Sequence, residues 1–285
     1  MKNPNRAGPI NMTLAALCWS FGGLCIKFIP WSAMSIIGLR ALLAAALFAV
    51  YRKSVRVTFT HGNILAALCL AGTTVLFVFA NKLTTAAAAI LLQFSAPVFV
   101  LLLELFTCGK RPKPSEIVAV AATLAGMLLF FADRLAPGNL LGNLLAIASG
   151  LSFAGVFVFN KRPDVDPEQS VFLGFLLNAA VGLPFVFLPD GFTWEPLAIG
   201  AILFLGLVQV GLAYVFFSCA IRRTPALLAC LIAAVEPVLN PLWVALFVGE
   251  LPGLFALLGG LVILLTVIGY QIYRERRETV GSGPA

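Results

Sequence analysis

Glu236, Asn240 and Trp243 are four and three residues apart inside one long apolar run, Pro225 to Gly249. At helical periodicity they share a face. A carboxylate, an amide and an indole on one stripe can hold an ammonium group or carry a proton. They can equally close a structural hydrogen-bond network. An ionisable side chain near mid-bilayer costs about 2.5–3.5 kcal/mol on insertion scales, so it is kept where it faces protein or water. Pro237 and Pro241 interrupt the same run. Proline removes a backbone donor and frees a carbonyl, which bends a helix and exposes an acceptor. Pro97, one turn after Gln93, is a third candidate hinge beside Pro237 and Pro241. Asn81, Gln93, Ser152, Gln209 and Tyr214 are further polar groups in or near apolar runs, and with Trp19 they complete the candidate substrate-binding set. Each has a plainer alternative, since hydrogen bonds between membrane helices are worth ~0.6–2 kcal/mol without any substrate. Trp19, Phe77, Phe79, Phe153, Phe157 and Trp243 are candidate walls for an apolar side chain. Arg40 lies about eight residues into its run, where it could anchor a carboxylate. The favoured reading is that it snorkels or caps helix-end carbonyls.

Other chemistry is poorly supplied. The only histidine, His61, falls in a polar loop, and no cluster has metal-ligand spacing. The six cysteines lie in or at the ends of apolar runs, without a C-x-x-C pair, and read as small buried hydrophobes. There is no G-x-x-x-x-G-K-[ST], so ATP does not drive the chain directly. No catalytic residue, metal or cofactor is expected, and the chain is not read as an enzyme.

The elements that must position these residues are membrane spans. Only 11% of the 285 residues are charged and the mean hydropathy is +1.02. Soluble domains carry about 25% charged residues. Ten apolar runs can be drawn, roughly 9–29, 32–51, 62–81, 84–107, 115–132, 140–160, 169–188, 197–219, 225–248 and 252–273. The first resembles a signal peptide but is longer than a signal core, and is taken as a span. With the N-terminus in the cytoplasm, fifteen of the nineteen Lys and Arg residues fall on the cytoplasmic side. They are Lys2, Arg6, Arg52, Lys53, Arg56, Lys110, Arg111, Lys113, Lys161, Arg162, Arg222, Arg223, Arg274, Arg276 and Arg277. Lys27, Lys82 and Arg134 fall on or near the other side. Both termini are therefore expected in the cytoplasm. The net charge of +7 reads as this topology signal, not as a nucleic-acid footprint. Trp31 and Trp194 read as interfacial anchors.

The chain also repeats. Shifted by 140 residues, 80–131 lies over 220–271 without a gap, and Pro97 meets Pro237, Gly109 meets Gly249 and Pro112 meets Pro252. Ser20-Phe21-Gly22-Gly23 echoes Ser152-Phe153-Ala154-Gly155. Each half then holds five spans, an odd number, so the halves are inverted. Inverted repeats with a midplane site between them are typical of secondary transporters. The expected units are 1–137, 138–273 and a cytoplasmic tail, 274–285.

Leu14-Ala15-Ala16-Leu17-Cys18-Trp19-Ser20, Arg40-Ala41-Leu42-Leu43, Glu236-Pro237-Val238 and Gly249-Glu250 resemble the drug/metabolite transporter superfamily, EamA type. The first half departs from that pattern, with Gly109-Lys110 where the second has Gly249-Glu250. The resemblance covers nearly the whole chain, about Asn11 to Tyr273. It implies an all-α integral membrane protein of ten helices in two inverted repeats. It further implies export of amino acids, aromatic or other apolar ones among them, or of related small metabolites, across a bacterial inner membrane by alternating access. The expected partners are that substrate, the lipid bilayer and protons as a coupling ion, with no nucleic acid and no ATP. Drugs or metabolites other than amino acids are the alternative cargo. A channel or a lipid-directed membrane enzyme are the rival classes. Helices 1, 3, 4, 6, 8 and 9 are expected around a central cavity, with helices 5 and 10 peripheral.

Overall fold

A computed structural model describes residues 7–26, 28–132, 139–248 and 253–281. Lys2, Arg6, Lys27, Arg134, the 137/138 boundary, Gly249-Glu250 and Pro252 lie outside these residues. No strand occurs among the described residues. Hydrocarbon offers no water to backbone N–H and C=O groups, and a helix satisfies them within its own segment.

The helices group into ten segments. α1 is Ala7–Trp19 with Gly22–Ile26, α2 is Ala33–Arg52, α3 is His61–Leu83, and α4 is Ala86–Gln93 with Ala96–Cys108. α5 is Pro114–Phe130, α6 is Leu140–Phe159, and α7 is Pro167–Gly182 continued by a 3-10 turn, Leu183–Phe187. α8 is Pro196–Ile221, α9 is Ala226–Ala233 with Val235–Val248, and α10 is Leu254–Gly281. Among the described residues seven segments, α2, α3, α4, α6, α7, α8 and α10, are long and apolar enough to cross a membrane. α10 continues past Tyr273 to Gly281, so most of the stretch expected as a tail extends that helix. His61 is the first residue of α3 and not part of the preceding loop.

Side-chain caps fix several starts. Ser32, Thr60, Thr85, Asn139 and Asp166 accept hydrogen bonds from backbone N–H groups in the first turns of α2, α3, α4, α6 and α7. These bonds satisfy donors that the helix itself leaves unpaired. Pro114, Pro167 and Pro196 open α5, α7 and α8, positions where a missing N–H costs nothing.

Helix packing is largely unchanged when α1–α5 are exchanged for α6–α10. α3 on α6 becomes α8 on α1, α3 on α7 becomes α8 on α2, and α4 on α6 becomes α9 on α1. α2–α7, α4–α9 and α5–α10 pair each element with its own counterpart. This is the pattern a two-fold axis between the halves produces. Two of the counterpart pairs cross at glycines. A Cβ on Gly38 of α2 would strike the backbone of Gly182 and Leu183, and one on Gly259 of α10 would strike Phe130 and Gly126 of α5. Small residues at a crossing let backbones approach closely, which is how helices gain packing energy in lipid.

The repeat reaches the level of single helical turns. The first pieces of α4 and α9, Ala86–Gln93 and Ala226–Ala233, are both eight residues long and stand 140 residues apart. Each is followed by a break, at Phe94-Ser95 and at Ala234. Pro97 and Pro237 lie just inside the pieces that restart. Trp31 is buried, donating from Nε1 to Thr193 Oγ1 at 2.9 Å and packing on Phe192, so it is a cluster residue and not a lipid-facing anchor. Trp194, beside it, is 83% exposed.

Candidate functional site

A cavity of about 400 Å³ lies between the halves, and all ten helices contribute to its wall. α5 and α10 take part through Phe130, Phe131 and Ala256, and α2 and α7 through Arg40 and Asn178. None of these four helices was expected in the wall. The interlocked halves leave no helix wholly peripheral, because α5 and α10 are counterparts that cross each other beside α9.

Discontinuities position several of the polar groups. α1 breaks at Ser20-Phe21, and Gln209 Nε2 donates to the Trp19 carbonyl just before the break at 3.1 Å. Gln209 sits in a π-helical stretch of α8, Leu205–Leu212, and packs against Gly22, where a side chain would crowd its amide. π-helical turns often mark functional positions. Gln209 Oε1 is buried with no hydrogen-bond partner among the described residues. Gln93, at the α4 break, donates from Nε2 to Ser149 Oγ at 2.8 Å, and Ser149 donates to the Thr73 carbonyl at 2.9 Å. Asn178 Nδ2 donates to Thr74 Oγ1 at 3.3 Å, and its Oδ1 has no partner among the described residues.

Aromatic rings form the floor. Trp19 meets Tyr214 edge-on at 5.1 Å, Tyr214 meets Phe175 at 5.4 Å, and Phe94 meets Phe153 at 6.2 Å. Phe153 in turn contacts Phe157, and Phe157 contacts Phe217, beneath the cavity. This chain of rings runs toward the end of the bundle where α1, α3, α5, α7 and α9 begin, the end that carries the Arg-rich loops. The opposite end contributes Ile26, Phe77, Phe130, Phe131 and Ala256 to the wall. The cavity therefore lies in the middle and opposite half of the bundle.

Of the residues singled out from sequence, Trp19, Gln93, Gln209, Tyr214, Glu236 and Pro237 border this cavity. Asn81, Ser152 and Trp243 do not. Asn81 turns back on its own helix, Nδ2 donating to the Phe77 carbonyl at 3.0 Å. Ser152 packs against Gly72 at the α3–α6 crossing. Trp243 donates from Nε1 to Ser20 Oγ at 2.8 Å and stacks on Phe21 at 4.5 Å, so it braces the break in α1. The side chains of Asn240 and Pro241 lie outside those described. Phe77 and Phe153 line the cavity, Phe157 is fully buried beneath it, and Phe79 is turned outward. Pro97 is buried at the α4 restart and does not border the cavity.

Arg40 corrects the snorkelling expectation. It faces the cavity, in electrostatic reach of Glu236 and Tyr214. Its depth in α2 was legible, but which face it occupied was not. Phe94, Phe130, Phe131, Phe175 and Asn178 also line the cavity, and sequence reasoning did not single them out. Asn178 had a signal, an amide inside an apolar run. The phenylalanines had none among 24 of their kind.

Residues 6–132 and 140–270 each match the EamA-like transporter family. The chain belongs to that family. It is 30% identical over 221 residues to a Bacillus subtilis (strain 168) protein named Uncharacterized transporter YwfM, covering 75% of this chain and 74% of the relative. An Archaeoglobus fulgidus protein named Uncharacterized transporter is 33% identical over 195 residues, 67% of this chain and 69% of that one. A solved crystal structure superposes with a TM-score of 0.81 over 96% of this chain and 99% of that one. At 21% identity that likeness shows the fold alone. The EamA match occurs twice, once in each half, and membership makes this a multi-pass membrane protein of a small-molecule transporter family, not an enzyme.

Proposed function

We propose that this EamA protein is a secondary carrier that exports amino acids, aromatic or other apolar ones among them, or related small metabolites. It works across a bacterial inner membrane by alternating access, with both termini in the cytoplasm. The two repeats are 1–137 and 138–273, with 274–285 as a cytoplasmic extension, and the broken helices α4 and α9 and their neighbours rearrange. The observation that carries this reading is the cavity itself. It sits at the seam of two inverted halves, is walled by aromatic and aliphatic side chains, and holds a few fixed polar groups. That is the composition of a small-molecule site, and the location is where inverted-repeat carriers bind.

Unequal closure of the two ends supports alternating access. All eight residues of Ala226–Ala233 are buried, whereas Ile90 to Gln93 of the equivalent piece of α4 are partly exposed. Arg222, in the α8–α9 loop, pairs with Asp166 at 2.8 Å and lies 3.9 Å from Glu168, at the start of α7. Lys82, which the repeat sets over Arg222, makes no ion pair among the described residues. Among the described residues, the Arg-rich end carries this ion pair and the fully buried first piece of α9, and the equivalent positions at the other end carry neither. If the Arg-rich end is cytoplasmic, this is the state that releases cargo outward. The driving force is the substrate gradient or a proton.

Proteoliposomes loaded with unlabelled amino acids and supplied with radiolabelled ones test the reading. Saturable counterflow is the expected result. An uncoupled conductance with no counterflow would remove it in favour of a channel.

A further inference from the structure

Among the described residues, Arg40 and Glu236 are the two charged side chains that border the cavity, one from each half. They stand in electrostatic reach of each other. Neither makes a hydrogen bond or ion pair among the described residues, whereas Arg222 and Lys110 both close onto carboxylates. Two opposite charges inside a membrane protein that merely needed to neutralise each other would be expected to meet. Here they border the same cavity without an ion pair among the described residues. Two acceptors on the same wall, Gln209 Oε1 and Asn178 Oδ1, are also without partners among the described residues.

We propose that the cavity selects zwitterions, with Arg40 receiving the carboxylate and Glu236 the ammonium of an α-amino acid whose side chain lies on the phenylalanine wall. The inference rests on the carrier reading above and narrows its substrate class. A guanidinium presents paired donors that match a carboxylate, while a carboxylate and amide oxygens supply the acceptors that the three N–H bonds of an ammonium require. A zwitterion satisfies both protein charges at once. A simple amine leaves Arg40 facing an unfilled subsite, and a simple carboxylate leaves Glu236 in the same position. Sites whose buried polar groups are left unpaired reject the deficient ligand strongly. The pair is also where the halves differ chemically, since the repeat sets Glu236 over Ala96.

The test uses three probes on one carbon frame: L-phenylalanine, 3-phenylpropionate and phenethylamine, with leucine, 4-methylpentanoate and 3-methylbutylamine as an aliphatic series. Binding to the purified protein is read by thermal shift and calorimetry, and transport by counterflow. Each zwitterion should bind about 100-fold or more tightly than its singly charged analogues. Arg40→Gln should weaken the amino acids and abolish their advantage over the amines. Glu236→Gln should abolish their advantage over the carboxylates. This crossed pattern cannot arise from misfolding, which would weaken all probes together. An amine or carboxylate that binds as tightly as its zwitterion, variants without the crossed pattern, or no binding by any zwitterion would overturn the proposal. Counterflow of singly charged probes at equal affinity would leave a carrier and remove the zwitterion pair. Zwitterion binding without counterflow would leave the pair and remove the carrier.

Discussion

At the scale of single residues, depth and direction separate. The position of Arg40 in the chain gives its depth, and depth alone suits both a snorkelling side chain and a cavity group. Only the azimuth of α2 against α8 and α9 decides, and that azimuth depends on contacts far apart in sequence. Asn81 shows the converse: its amide is satisfied by its own helix, so a polar residue inside a span need not face anything functional. Outside the spans, Lys110 makes a sharper case. Burial opposes its charge, but the hydrogen bond and field of Glu104 and the field of Glu116 outweigh this and raise its pKa above the usual lysine value. A pKa raised by folding adds stability that is fully present below the unfolded value of ~10.4 and is lost as pH rises through the folded one. Lys110→Met should therefore lower thermal stability by a constant amount between about pH 6 and 9, at most about 1 kcal/mol for so exposed a pair. Melting curves across pH check this, and a difference already gone at pH 8 would contradict it.

At the scale of elements, the broken helices were the most legible feature. Pro97 and Pro237 mark interruptions that the structure places at aligned positions in α4 and α9. Proline is compatible with the first turn of each restart, so the breaks are built from ordinary helix-end chemistry and need no stored strain. What the proline pattern could not reveal is the break in α1 or the π-helical stretch of α8. Neither contains a proline, and both depend on tertiary partners: Gln209 for the Trp19 carbonyl, and Trp243 for Ser20. Replacing Pro97 with Ala restores a backbone donor and favours a continuous α4. Transport should slow several-fold while substrate affinity stays unchanged, measured as counterflow rate against calorimetric binding. Equal losses in both would mean that the bend only shapes the site.

For the whole molecule, the fold was readable because hydrocarbon allows few solutions, and apolar length, basic loops and an internal repeat leave little else; the family came from the resemblance carried by motifs such as Glu236-Pro237-Val238. The wall of the cavity was only partly readable, because it is assembled from all ten helices. The ionic latch at the Arg-rich end was not readable from spacing, since Asp166 and Arg222 are 56 residues apart. Exposed pairs contribute about 0–1 kcal/mol, so Arg222→Ala should shift the balance of open and closed ends about two- to five-fold. In a variant retaining only Cys230, buried in α9, maleimide labelling from that side should rise by this factor. Unchanged labelling would show that the aromatic floor alone holds the end shut. The matched eight-residue pieces of α4 and α9 carry a thermodynamic consequence. If each half can take the other's shape, burying Ile90 to Gln93 accompanies the uncovering of Cys230 to Ala233, and similar hydrophobic areas change places. Most of the free energy then cancels between the two states, and their equilibrium constant is set by the few positions where the repeat is imperfect. Glu236 is one of those positions, so the residue that would hold cargo would also weigh the balance on which the cargo acts.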